Sequence, residues 1–253
     1  MYLDDWIRSS WAIIYPEVCQ ICNERRANPD DGYVCENCIS KITFINKSIC
    51  DQCGNTFEGN LTECFNCSDC TFGRPHYKHA RSPCTLEGPL QTLIHRNKYT
   101  QSQWMEPLFG TLIKNALSKY RSTFSVEIVL AVPLYPAKQR ERGYNQSTWL
   151  AKIAAKELGA EFRGNILKRV KPTETQTRMS RRDRKENMKG AFKICTGSNL
   201  ANKRLLLVDD VITTGATIDA CAKVLMEAGA ESVCALTLAR GISRPFLACE
   251  LPF

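Results

Sequence analysis

Apolar residues fall into two kinds of run along this chain, and the alternation between them predicts the fold. Residues 126–134 (VEIVLAVPL), 204–210 and 232–240 are short, nearly continuous apolar stretches, as in strands buried on both faces of a parallel sheet. Between them the apolar positions recur at helical spacing. Helices are predicted over 89–98 and 103–119, and over a stretch that Ser147 can cap and that runs to Leu158, with Gly159 as its stop. A further helix has Ile218, Cys221, Ala222, Leu225 and Ala228 on one face and ends at Gly229. Residues 161–195 read as strand, exposed basic loop and strand. This alternation predicts an α/β fold, a parallel sheet flanked by helices, over residues 89–245.

The N-terminal third has a different pattern. Residues 1–18 suggest a short helix with Trp6, Ile7, Trp11, Ile14 and Tyr15 on or near one side. Residues 19–72 hold cysteine pairs separated by Asn-, Asp- and Gly-rich loops, too polar to build a large core. Metal must therefore organise them. Residues 73–88, with Pro75, Pro83, Gly73 and Gly88, read as a linker.

Ten of the fourteen cysteines lie between residues 19 and 84. Cys19-x2-Cys22, twelve residues, then Cys35-x2-Cys38 is a structural-zinc spacing, and Cys50-x2-Cys53, ten residues, then Cys64-x2-Cys67 repeats it. Cys70 extends the last pair and can take the place of Cys64 or Cys67. Interleaved pairing, with Cys19 and Cys22 sharing a metal with Cys50 and Cys53, satisfies the spacing equally. Closed four-thiolate sites leave no position for a metal-bound water, so two structural zincs are expected rather than a catalytic one. Cys84, Cys195, Cys221, Cys234 and Cys249 have no partner at ligand spacing and read as small buried hydrophobes.

Charge divides the chain in the same place. Residues 1–80 hold seven Lys or Arg and eleven Asp or Glu, whereas Arg163–Lys193 holds eleven basic and three acidic residues. A DNA-reading role for the acidic Cys-rich region is disfavoured, since each four-thiolate zinc adds about −2. The basic segment is a solvated face or a site for a polyanion, either a small molecule or a nucleic-acid backbone. No aromatic residue occurs from 164 to 191, which argues against base stacking there. No apolar run approaches 18 residues and the first ten residues lack a secretory pattern, so a cytoplasmic protein without membrane insertion is expected.

The run LLLVDDVITTGAT, residues 205–217, concentrates the candidate chemistry. A buried strand ends in Asp209 and Asp210. A loop of small and hydroxyl residues, Thr213, Thr214, Gly215, Ala216 and Thr217, then opens a helix. Such a loop can aim backbone N–H groups and hydroxyls at one phosphate, with favourable helix dipole. The carboxylates sit at the C-terminal edge of the sheet, where open α/β folds bind ligands, and suit the vicinal hydroxyls of a ribose. A valine at Gly215 is expected to block the phosphate and leave the core intact. No Gly-Lys-Ser/Thr closes the loop, so it is not a Walker loop.

Two other stretches fit around it. Residues 132–147 (VPLYPAKQRERGYNQS) follow a predicted strand at the same sheet edge. There Arg140 and Arg142 can pair with a diphosphate, and Asn145 and Gln146 offer amide donors. Residues 173–192 form a long polar segment between strands, the usual character of a lid. Gln176 and Asn187 are neutral donors in it, and Arg178, Arg182 and Arg184 can close over a diphosphate and stabilise its departure.

The 205–217 run resembles the ribose-phosphate signature of type I phosphoribosyltransferases, which bind 5-phosphoribosyl 1-diphosphate (PRPP) with Mg²⁺. Together with the Cys pairs, Arg142-Gly143-Tyr144-Asn145-Gln146, Gln176, Arg182, Asn187 and Ala191-Phe192, the whole resembles the ComF family over roughly residues 19–240. His95-Arg96-Asn97-Lys98-Tyr99 fits that family's Leu-Lys-Tyr version only loosely. The resemblance implies a double zinc ribbon fused to a phosphoribosyltransferase domain, with catalytic roles for Asp209, Asp210, Arg178 and Arg182. It also implies a part in natural competence and DNA use, with single-stranded DNA and a DNA-uptake helicase as partners. Thr213 stands where hypoxanthine-guanine enzymes carry an Asp, and orotate enzymes share the Thr. Three readings follow: an active phosphoribosyltransferase, a non-catalytic PRPP or nucleotide sensor, and a nucleic-acid-binding regulator using residues 163–193.

Overall fold

The computed structural model describes residues 17–46, 48–57, 65–99, 103–172, 181–195, 197 and 199–241. The helix expected over 1–18 therefore lies almost wholly outside the described residues. Among the described residues, eight strands are β1 (Ala80–Arg81), β2 (Cys84–Thr85), β3 (Ile128–Ala131), β4 (Glu161–Phe162), β5 (Leu167–Arg169), β6 (Phe192–Ile194), β7 (Arg204–Ile212) and β8 (Ser232–Arg240). The α-helices are α1 (Glu36–Ile39), α2 (Ser68–Gly73), α3 (Gly88–Tyr99), α4 (Glu106–Lys119), α5 (Pro136–Arg142), α6 (Gln146–Leu158), α7 (Arg181–Met188) and α8 (Ala216–Glu227).

Six strands form one parallel sheet in the order β1-β8-β7-β3-β4, with β2 following β1 along the outer side of β8. Side chains alternate across it as the pleat requires. Val129, Leu206, Val208, Leu236 and Leu238 face a layer built with α3, α4 and α6. Ile128, Leu130, Leu205, Leu207 and Val233 face the opposite layer, with Ile218 and Leu225 of α8. Strands β5 and β6 pair antiparallel apart from this sheet, and Leu167 and Phe192 join them to the α8 layer.

The segment expected to be a linker contributes strands. Ala80 of β1 lies opposite Ala235 of β8, and Cys84 of β2 opposite Ala239. The Cys-rich region covers the outer side of these strands. Ala80 N–H donates to the Gln52 carbonyl at 2.7 Å, and Thr85 N–H to that of Thr43 at 3.0 Å. Buried Arg81 reaches the Asp51 carbonyl at 2.6 Å and its carboxylate at 3.0 Å. Gly54, at φ +71°, is pressed so close to the Ala80 carbonyl that a Cβ would stand 2.5 Å from its oxygen. Nor do the cysteines make a core of their own. Cys19, Cys35 and Cys38 are continuous with the α3/α4/α6 layer, while Cys50, Cys53, Cys67 and Cys70 are continuous with the α8 layer.

Two local expectations are corrected. The cap of α6 is Asn145, whose side chain accepts the Ser147 N–H, while Ser147 lies inside the helix; Gly159, at φ +66°, ends it as expected. Within the basic segment, residues 181–188 form α7 rather than a loop. Buried Met188 fastens it beside α8, accepting a bond from the Thr217 hydroxyl at 3.8 Å.

Candidate functional site

The thiols gather in sequential fours. The sulfurs of Cys19, Cys22, Cys35 and Cys38 lie within 4.8 Å of one another, and so do those of Cys50, Cys53, Cys67 and Cys70. In a regular tetrahedron with Zn–S arms of about 2.3 Å, neighbouring sulfurs are about 3.8 Å apart. Cys22 and Cys35 are separated by 3.9 Å, Cys53 and Cys67 by 3.7 Å. Backbone N–H groups point at the sulfurs as thiolates require: Ile21 and Cys35 at Cys19, and Cys53 and Cys67 at Cys50. These are two Cys₄ sites suited to Zn²⁺. The second contains Cys70, where the spacing had placed Cys64 first; Cys64 lies outside the described residues. The interleaved pairing is not the one observed. Of the other cysteines, Cys84, Cys221 and Cys234 are buried and Cys195 is half-buried, with Cys249 outside the described residues.

At the C-terminal edge of the sheet, the register of β3 against β7 (Ala131 opposite Val208) brings α5 and the start of α6 beside Asp209 and Asp210. Asp209 Oδ1 accepts from the Ser147 hydroxyl at 2.8 Å and from the Asp210 N–H at 2.9 Å. Burial first, and then the adjacent Asp210, push the Asp209 carboxyl up to about 7. Asp210 is held by Lys98 Nζ at 2.7 Å. Burial works against the Lys98 ammonium, but the Asp210 carboxylate outweighs it and its pKa is raised.

Residues 213–217 bend from β7 into α8, with Gly215 at φ +79° as the helix cap and the Thr214 hydroxyl accepting the Ala216 N–H at 3.4 Å. A Cβ on Gly215 would stand 2.9 Å from the hydroxyl of buried Tyr77. A valine there strains the fold, contrary to the sequence expectation that the core would stay intact.

Arg140 and Arg142 lie in the last turn of α5, Arg140 exposed and Arg142 half-buried. With them comes Lys138, held below the ordinary lysine value by burial and then by the charges of Arg142, Arg169 and Lys98. Four cations thus share one neighbourhood next to the paired carboxylates. Arg182 and Arg184 lie on α7, and Gln176 and Arg178 lie outside the described residues. Asn145 and Gln146, expected to face a ligand, are engaged internally: Asn145 donates to the Val132 carbonyl at 3.0 Å, and Gln146 to that of Asn97 at 3.1 Å. The Tyr144 hydroxyl joins Gln146 on Asn97 at 2.8 Å. This clasp fixes the end of α3 and sets Lys98 against Asp210. Lys98, Lys138, Arg169 and Ser147 are the members of the site that sequence reasoning missed.

A double zinc ribbon model matches residues 10–71 and a phosphoribosyl transferase domain model matches residues 145–247. Competence protein F of Haemophilus influenzae is 32% identical over 211 residues, covering 82% of this chain and 90% of that protein. The chain belongs to the ComF family. Another similar protein is the DNA utilization protein YhgH of Escherichia coli K12, 28% identical over 86% of this chain and 94% of the relative. A hypoxanthine phosphoribosyltransferase from Staphylococcus aureus is 12% identical, covering 55% of this chain and 75% of that structure, with a TM-score of 0.34. In this ComF-family chain the phosphoribosyltransferase-type sheet and the two Cys₄ sites occur together. No helix among the described residues is long and apolar enough to cross a membrane.

Proposed function

We propose that this chain binds PRPP with Mg²⁺ and acts as a phosphoribosyltransferase-type protein in the handling of incoming DNA, a reading supported by relatives named for competence and DNA utilization. One observation carries the reading: two adjacent carboxylates at the C-terminal end of the central strand beside a phosphate-sized loop that caps α8. Backbone N–H groups and the hydroxyls of Thr213, Thr214 and Thr217 hold the 5-phosphate. Asp209 and Asp210 take the ribose 2′- and 3′-hydroxyls or the ion bound to them. Lys138, Arg140 and Arg142 receive the diphosphate, and Arg178, Arg182 and Arg184 belong to the segment that closes over it. Mg²⁺, when bound, supplies charge to a departing diphosphate as the bond at ribose C1 breaks. The basic residues add fixed positive charge where negative charge develops. Coupling to single-stranded DNA or to a DNA-uptake helicase is the further step of this reading. The same site without turnover would serve as a sensor of PRPP.

Calorimetric titration of PRPP with and without Mg²⁺ tests the binding, and a diphosphate-release screen over bases and single-stranded DNA tests turnover. Absence of PRPP binding in zinc-loaded protein sinks both the enzyme and the sensor. Binding should strengthen as pH rises through about 7, because Asp209 must ionise to accept hydroxyls or metal. Lys98 lowers the Asp209 pKa, so Lys98→Met should move that midpoint upward; an unmoved midpoint would remove Lys98 from the site.

A further inference from the structure

A cavity of about 500 Å³ lies between the second Cys₄ site and the phosphate loop. Its size falls in the range of small-molecule sites. Thr213, Thr214 and Gly215 form one wall, so an occupant would adjoin whatever the loop holds. The facing wall comes from α2 and the residues after it: Phe72, Pro75 and Tyr77. Phe72 is 86% exposed, an aromatic ring left bare at the mouth of a cavity that contains a phosphate loop. Aromatic faces beside a phosphate contact are how proteins stack nucleobases.

Charge narrows the occupant. Among the described lining residues the one cation is Arg240, and it is 6% exposed. Its three nitrogens are engaged by the ribbon: Nη1 donates to the Cys53 carbonyl at 2.5 Å, Nη2 lies 3.5 Å from Cys53 Sγ, and Nε donates to Asn55 Oδ1 at 3.3 Å. The other charged groups lining the cavity are the metal-site thiolates of Cys53 and Cys70 and the carboxylates of Asp69 and Asp219, the last of which already accepts the His76 N–H at 2.7 Å through Oδ1. An anionic heterocycle would find repulsion and no salt bridge, whereas exocyclic amino groups would find acceptors.

We propose that this cavity receives a neutral, amino-bearing nucleobase whose ribose-phosphate sits on the 213–217 loop, with Phe72 as the stacking residue. The second zinc ribbon thereby supplies the base pocket of the phosphoribosyl site. The proposal rests on the ribose-phosphate reading above, and the experiment separates the two. Zinc-loaded full-length protein and its Phe72→Ala variant are titrated with ribose 5-phosphate, AMP, CMP and orotidine 5′-monophosphate. AMP or CMP should bind about tenfold tighter than ribose 5-phosphate, as stacking of one base allows, and orotidine 5′-monophosphate should gain nothing. Phe72→Ala should return AMP and CMP to the ribose 5-phosphate level while leaving ribose 5-phosphate binding and zinc content unchanged. If ribose 5-phosphate binds but AMP and CMP gain nothing over it, or their gain survives in the variant, the base pocket is wrong and the ribose-phosphate reading stands. Orotidine 5′-monophosphate binding as tightly as AMP would overturn the charge selection. If ribose 5-phosphate itself does not bind, the underlying reading fails and takes the pocket with it.

Discussion

Asp209→Asn should raise the melting temperature of the unliganded protein at pH 8 by roughly 3–8 °C, since 1 kcal/mol shifts a domain of this size by about 2–4 °C. The same substitution should have less than half that effect at pH 5, because the cost begins to build at the unfolded value of 3.8, and at pH 8 it should weaken PRPP binding tenfold or more, about 1.4 kcal/mol. Burial and the adjacent Asp210 lift the folded-state pKa to about 7 from an ordinary 3.8. Below about pH 4 the carboxyl is protonated in both states and costs nothing. As pH rises toward 7 the unfolded chain gives up the proton while the folded site keeps it, so stability falls; above 7 the full cost of the half-buried charge is present. Asparagine keeps an oxygen for the Ser147 hydroxyl and the Asp210 N–H without the charge. The site would then give up stability in exchange for a ligand-binding carboxylate, a common trade-off at functional sites. Thermal melts at the two pH values check it, and an equal shift at both would show that the charge is not the cause.

Cys50→Ser should halve the zinc content from two per chain to one and unfold more than the ribbon. Structural zinc contributes on the order of 10–16 kcal/mol of apparent binding energy, as much as or more than the roughly 5–15 kcal/mol that holds a whole domain folded. Cys50 is fully buried, and its cluster continues into the layer that contains α8 and the inward residues of β7 and β8. Hydrogen exchange should therefore rise in β8 as well as in residues 48–57, and ribose 5-phosphate binding should be lost with it. Cys84→Ser, in a buried thiol outside both clusters, is the control: it should keep both zincs. A Cys50→Ser protein with one zinc and an unchanged melting temperature would show that the ribbon is independent of the sheet.

The parts of the fold legible in the sequence are those whose burial is complete and regular. Strands β7 and β8 lie between two layers and so read as apolar runs, and α8 shows its buried stripe because its other face is polar. The two-residue strands β1 and β2 escape notice because neither is long enough to show a period, and Pro83 between them signals a turn. Helix α7 is hidden for the opposite reason: RRDRKENM has one apolar residue, Met188, and a single anchor shows no periodicity. Cys64 and Cys70 both stand at ligand spacing from Cys67, so the choice between them depends on how the chain turns into α2. At the site, Asp209, Asp210 and the loop are contiguous in sequence and visible there. Lys98 reaches them from α3, Ser147 from α6 and Tyr77 from the segment just before β1, and local pattern does not reveal contacts made at such separations.

The pairing of the sheet's edge strands sets an order of assembly. Ser82, between β1 and β2, bonds Thr237 of β8 at 2.6 Å, a partner 155 residues later in the chain. At about 5–20 residues per second, a ribosome exposes the first on the order of ten seconds before the second. Each cysteine cluster is local and can capture metal at once, so the ribbon can fold while its docking strand does not yet exist. During that interval β1 and β2 offer unpaired backbone to any neighbouring nascent chain. Metal supply during synthesis, more than in the finished protein, would then decide how much of this chain reaches its folded form.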